Sequence, residues 1–335
     1  MNRILGIVCS FLLFSSIAPS PLKNSDMDAV QIPQRGAEVA IDDTVSVDPN
    51  ASSKSALDDD EIRQMIAAAS SSAIIRYHGD TDEVEIIEPD ITATYDTSVS
   101  TKPYIPECLP VAPPPVQSHV IIGPDDRGQI TAPTLNAYPY CTLAYLNVTY
   151  KNGARTNGSG CFVGENKILT SAHVLYSNQN GVATSVTITP GGLLSNFSSV
   201  TTSEICLNSQ YLNSPSVDQD YGVIVIEDSL ETGYLGMSSK SKTELSNVIL
   251  AGTYGYPADK ATGTLWYSSG TLSSILERTF CHNADTMDGQ SGSPLFDMAD
   301  FYYVIGVHRG PYPYNPDINV ATRVTKDMIN FVNAC

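Results

Sequence analysis

From residue 120 to the C-terminus, apolar and polar positions alternate in short runs separated by turn residues: TLAYLNVTY, GCFVG, KILTSAHVL, SVTIT, YGVIVIE, NVILAGTYGY, GTLSSIL and YYVIGVH. A period near two, or a short apolar run, bounded by Gly, Asn, Asp or Pro predicts strands; an amphipathic helix would need apolar positions three and four apart. Many short strands in succession predict an all-β sandwich or barrel, and about 215 residues suit one or two such units. The period changes only near the end. Val324, Met328, Phe331 and Val332 fall on or near one face and predict a closing helix over about 322–333.

Upstream the pattern is different. Residues 24–119 are acidic, with DDDE at Asp58–Glu61 and a proline-rich stretch over 103–115, a composition that builds a poor core. One helix is predicted from about Ala56 to Ser70, capped by Ser55; the rest reads as extended and linker-like. At the start, Arg3, the apolar run Ile4–Phe14, small residues and Pro19 have the layout of a secretory signal, too short to span a bilayer. The expected organisation is a signal peptide over 1–19, an acidic propeptide with a Pro-rich linker over 20–119, and a main domain over 120–335. No other apolar run approaches the roughly 18 residues of a membrane span, so the expected product is exported, extracellular and without a membrane anchor.

Charge and cysteine usage narrow the classes. With 36 acidic against 18 basic residues and a net charge of −18, nucleic acid and anionic membranes are poor partners. There is no basic stripe, phosphate loop or dinucleotide fingerprint, and no CxxC pair suggests zinc, so neither cofactor nor metal is expected. Cys9 is lost with the signal, leaving Cys108, Cys141, Cys161, Cys206, Cys281 and Cys335. Sequence alone leaves their pairing open; Cys141 with Cys161, across a hairpin, is the expected bridge. Asn50, Asn147, Asn157 and Asn196 open glycosylation sequons, in keeping with export.

Candidate chemistry centres on DGQSGSP, Asp288 to Pro294. Glycines beside Ser291 would let backbone N–H groups turn toward an oxyanion, where a surface turn would need no partners. A serine nucleophile needs a base, and His173, His282 and His308 are the histidines after Val120. His173 stands where the apolar strand of ILTSAHVL runs into small residues. Asp220, in QDYGVIVIE, precedes a buried strand and is placed to orient an imidazole. The order His173, Asp220, Ser291 is that of chymotrypsin-type enzymes, and G-x-S-G-S departs from the nucleophile elbow of α/β-hydrolases.

TSAH, DYGVIVI, GYPADK and DGQSGSP together resemble the glutamyl endopeptidases, a secreted branch of the chymotrypsin-like serine proteases. The resemblance covers Val120 to the C-terminus, and VIIGPDDR is similar to the start of such mature enzymes. It implies two six-stranded antiparallel β-barrels, over about 120–232 and 233–321, with His173, Asp220 and Ser291 in the crevice and an oxyanion hole made by the backbone N–H groups of Gly289 and Ser291. A cysteine that many relatives carry beside the histidine is missing in TSAHVL, and cleavage before Val120 leaves five cysteines, so Cys108 tethers the propeptide or one thiol stays free.

For specificity, Asp285 stands where trypsin-like enzymes keep the acid that binds Arg or Lys. The resemblance instead implies that Thr286 and His308 hydrogen-bond a substrate carboxylate, with Arg309 nearby but expected to be solvated. Gln290 replaces the acid that would pair with a new N-terminus, so the Val120 ammonium needs another role, and the resemblance implies that it lies near the specificity pocket and helps neutralise a substrate carboxylate. The bond before Val120 follows His119, which implies a separate activating protease. The expectation is therefore a monomeric secreted zymogen that cuts protein or peptide substrates after Glu, less strongly Asp. Trypsin-like specificity through Asp285, or a catalytically inactive homologue used for binding, are the alternatives.

Overall fold

The computed structural model describes residues 59–88, 100–107, 109–111, 125–312 and 315–335, which form a largely β structure of two curled antiparallel sheets closed by a C-terminal helix. The signal segment, Cys108, His119 and Val120 lie outside the described residues. In the first sheet the strands run in the order Val200–Thr202, Gly181–Pro190, Leu143–Tyr150, Arg155–Gly164, Lys167–Thr170, Gly222–Val225 and Glu204–Asn208. The second runs Leu272–Ser273, Thr279–His282, Asn315–Arg323, Tyr303–Tyr312, Pro294–Asp297, Ala251–Gly255 and Trp266–Gly270. Each sheet reaches ten strands where six were expected, because short segments add at the margins. Gly128–Gln129, from the start of the main domain, pairs with Trp266 and Tyr267 in the second sheet.

Strand periodicity sorts residues between cores. In Leu143–Tyr150, Ala144, Leu146, Val148 and Tyr150 join an apolar cluster with Phe162, Ile168, Ile188 and Ile224, within the first sheet. Leu143 and Tyr145 belong instead to a cluster containing Tyr254, Phe296 and Val307 from the second sheet. Alternation therefore does two jobs: one face fills a barrel and the other joins the two halves. The closing helix is Lys326–Ala334, beginning later than expected because Thr322 and Arg323 end a strand, and the Thr325 side chain caps the helix by accepting from the Met328 amide. Val324, Met328, Phe331 and Val332 are buried, as their spacing predicted.

The largest difference from the sequence reading lies upstream. A helix forms over Asp59–Ala68, inside the predicted span. The segment expected to be extended is extended, but as a packed hairpin: Ile74–His78 pairs antiparallel with Glu204–Asn208 at the edge of the first sheet, and Glu83–Ile87 pairs with Ile74–His78. Ala73, Ile74, Ile75 and Tyr77 are buried. Their short run AIIRY is diluted by flanking acids, so composition averaged over the segment hid a strand that needs only four apolar positions.

The cysteines also depart from expectation. Cys141, Cys161, Cys206, Cys281 and Cys335 are free and buried. Strand register sets Cys161 opposite Leu143, two residues past Cys141, whose thiol donates to the Thr232 carbonyl at 3.3 Å. Burial pushes the Cys141 thiol up to about 12. Among the described residues no helix is long and apolar enough to cross a membrane.

Candidate active site

His173 sits in a one-turn helix, Ala172–Leu175, directly after the strand Lys167–Thr170. Asp220 follows a tight turn, Val217–Gln219, and precedes the strand Gly222–Val225. Those two strands pair, with Gly222 opposite Thr170, and so bring together side chains 47 positions apart. Asp220 Oδ2 lies 2.7 Å from His173 Nδ1, and Oδ1 accepts the His173 backbone N–H at 2.9 Å. The carboxyl group is 1% exposed and the imidazole side chain 30%, so the acid is sealed while the base is open to solvent. Bonding of Nδ1 to the acid leaves Nε2 free to accept a proton.

The Asp220 loop is fixed from two directions. Asn208 Nδ2 donates to the Gln219 carbonyl at 2.8 Å, and Thr322 Oγ1, from the second sheet, donates to the Val217 carbonyl at 2.6 Å. Arg309, expected to be solvated, is half-turned to the acid instead, its Nε 3.6 Å from Asp220 Oδ2.

Ser291 lies in the turn before the strand Pro294–Asp297, and its carbonyl accepts from the Ser159 amide of the first sheet at 2.9 Å. Gly292 N donates to the His308 carbonyl at 2.8 Å. The Ser291 hydroxyl donates to the Arg309 carbonyl at 3.4 Å rather than to His173, the loose geometry common in unliganded sites. Gly289 has φ +89°, and a Cβ there would lie 2.6 Å from the Tyr256 carbonyl oxygen, so backbone conformation and crowding both require glycine.

Peptide orientation follows from the neighbouring carbonyls. Asp288 C=O accepts from Ala258 N at 2.7 Å, which turns the N–H of Gly289 the opposite way. Gln290 C=O accepts from Ser293 N at 3.0 Å and does the same for the N–H of Ser291. Neither N–H donates to any described residue, so both remain available to an incoming anion.

Beside Ser291 opens a cleft of about 490 Å³, lined by Asp285, Thr286, His308, Arg309 and Asn319 among others. His308 is 2% exposed, and its Nδ1 lies 3.1 Å from Nε2 of the fully buried His282. Burial holds both imidazoles neutral, His282 down to about 3 and His308 well below the usual histidine range, the latter also opposed by His282, His173 and Arg309. His282 Nδ1 is buried without a described partner. With Nδ1 engaged by His282, Nε2 is the ring atom of His308 left for the cleft. Thr286 lines the same space. Asp285 is occupied differently: its Oδ2 accepts the Asp126 amide at 3.3 Å, while its own N–H donates to Ser268 Oγ at 2.8 Å. The Asp126 carboxyl is raised, first by burial and then by Asp285.

Ser291, Thr286 and His308 line this cleft, with Gly289 two residues before Ser291; His173 and Asp220 are bonded to each other, and Arg309, which also lines the cleft, lies 3.6 Å from Asp220. Sequence reasoning counted His282 only as one histidine among three; the alternation Phe280–His282 in a buried strand was the available signal for an inward-facing ring. Ser159 carried no signal, because its amide reaches the Ser291 carbonyl, its hydroxyl donates to the Gly289 carbonyl at 2.8 Å and the same hydroxyl accepts from the Tyr256 amide at 3.0 Å, all contacts set by the meeting of two sheets. Among the described residues no three His, Cys, Asp or Glu side chains gather as metal ligands do.

A family model described as trypsin-like peptidase domain matches residues 158–307. The chain is 31% identical over 226 residues to a Bacillus subtilis (strain 168) protein named extracellular metalloprotease, covering 64% of this chain and 69% of that one. To the glutamyl endopeptidase of Bacillus licheniformis it is 28% identical over 221 residues, covering 63% and 67%. Among solved structures, a Glu endopeptidase in complex with MPD superposes with a TM-score of 0.54 at 26% identity, covering 98% of that chain and 64% of this one.

Proposed function

Since the chain belongs to the chymotrypsin-like serine proteases, in their glutamyl endopeptidase branch, we propose that it is a secreted endopeptidase, made as a zymogen, that hydrolyses peptide bonds after Glu and less strongly after Asp. In this reading 1–19 is a signal peptide, 20–119 a propeptide and 120–335 the protease. Ser291 Oγ attacks the scissile carbonyl as His173 Nε2 takes its proton, and Asp220 stabilises the imidazolium through the 2.7 Å bond at Nδ1. The tetrahedral oxyanion is received by the N–H groups of Gly289 and Ser291. His173 then gives its proton to the leaving amine, and water resolves the acyl-enzyme by the same route in reverse.

The observation that carries the specificity is the buried His308–His282 pair in the cleft beside Ser291. A carboxylate entering an enclosed site costs several kcal/mol unless donors meet it; His308 Nε2–H and the Thr286 hydroxyl are such donors. A lysine side chain would bring only further donors. Val120, seven residues before Arg127, is the proposed source of positive charge, since the Asp126 amide already reaches Asp285. Asp285 favours a second reading, trypsin-like preference, because it lines the cleft. Peptides differing only in the residue before the scissile bond separate the two: Glu should be cut fastest, well ahead of its uncharged near-isostere Gln, and fastest cleavage after Lys would overturn the reading.

A further inference from the structure

The zymogen reading removes everything before Val120, yet residues 59–88 are built into the protease half. Ile74–His78 supplies an edge strand to Glu204–Asn208 over five paired positions. Ile75 and Tyr77 enter the core of the first barrel, while Ile74 joins the cluster that holds Cys206, Tyr221 and Phe331. Ser209 donates from its amide to the Ala73 carbonyl and from its hydroxyl to the Ser70 carbonyl, and Gly79 N donates to the Ser203 carbonyl. Arg76 pairs with Glu204 at 3.2 Å and donates to the carbonyl of the terminal Cys335. A lost hairpin would expose this apolar edge and its unpaired strand, which folded proteins avoid.

The contacts end beside the catalytic acid. Ile74 is paired with Asn208, whose side chain holds the Gln219 carbonyl next to Asp220 and also caps the helix Ser209–Asn213 by accepting from Tyr211 N. We propose that residues 59–88 stay seated on the first barrel after the bond before Val120 is cut, so that the active enzyme is a two-chain assembly in which the hairpin acts as a positioning element for Asp220. This rests on the zymogen reading for the cut itself.

The test places a site-specific protease sequence just before Val120 in the full chain and cuts it after folding. In the Ser291→Ala background, which prevents self-trimming, the upstream piece carrying residues 59–88 should co-elute one-to-one with 120–335 in native size exclusion and separate in denaturant. Native separation of the two pieces overturns the proposal. With Ser291 intact, Ile75→Asp should release the fragment after cutting, lower kcat/KM on a Glu peptide by about ten-fold or more, and move the acid limb of its pH profile downward, as a less well held Asp220 stabilises the imidazolium less. Ile75→Val should restore all three. Release of the fragment with unchanged kcat/KM and pH profile overturns the positioning role. Should Ile75→Asp not fold, Arg76→Ala and Ile75→Ala take its place, with partial release and a proportionate loss of rate expected. A chain equally active before and after the cut defeats the zymogen reading instead, and co-elution still decides retention.

Discussion

His173 and His308 differ in exposure and in their partners. His173 Nδ1 faces a carboxylate at 2.7 Å; His308 Nδ1 faces another imidazole at 3.1 Å. The first ring is part-exposed beside a buried carboxyl group. The second is fully enclosed beside a neutral ring and an Arg, which keeps it uncharged until a negative group arrives. Two copies of one side chain are thus given different surroundings by what touches their inner nitrogen. In the proposed reaction the first moves protons and the second recognises charge.

Substitutions on either side of this contrast should separate rate from selectivity. Ser291→Ala should lower kcat by on the order of 10⁴ or more while leaving the fold intact, read by near-ultraviolet circular dichroism and burst kinetics. Asp220→Asn keeps an oxygen for the His173 amide but removes the negative partner, and a fall in kcat of about 10³–10⁴ is expected with KM little changed. His308→Ala should leave Gln-peptide cleavage nearly as before and cut the Glu-over-Gln ratio by roughly 10–100-fold, the worth of a hydrogen bond to a charged group. Equal losses on both peptides would assign His308 to catalysis and dissolve the contrast.

The neutral pair also gives a stability signature. Folded His282 titrates near 3, below the usual histidine value of about 6.5, so the unfolded chain takes up the proton first. Its contribution is complete above about pH 6.5 and is lost as pH falls toward 3, at up to about 1.4 kcal/mol per pH unit. Urea midpoints measured between pH 7 and 4 should fall less steeply in His282→Gln. Smallest is Arg309→Gln: its guanidinium is part-exposed and 3.6 Å from Asp220, so kcat/KM should change by less than about three-fold. A hundred-fold loss would place Arg309 within the machinery.

What was readable beforehand follows from range. Strand alternation, the turn glycines around Ser291 and the spacing of the last helix are local patterns, and those elements formed where expected, with the helix start displaced by the Thr325 cap. The grouping of His173, Asp220 and Ser291 was proposed from motif order, and the His173–Asp220 bond is the part of it seen in the structure. Contacts set by long-range register left no such trace: Cys141 beside Cys161 failed because register offsets them by two residues, and AIIRY became a strand only because Glu204–Asn208 presents an edge to it. The Arg309 turn toward Asp220 depends on the meeting of two sheets, which no local window contains.

Thr322 belongs to a strand that is completed thirty residues after Ser291, and its hydroxyl holds the turn that presents Asp220. A nascent chain that has emerged only as far as residue 300 already carries His173, Asp220 and Ser291, but lacks both His308 and the hydroxyl that holds the Asp220 turn. In the proposed enzyme this is a built-in delay: alignment of the acid waits for the last strand, before and in addition to the cut ahead of Val120.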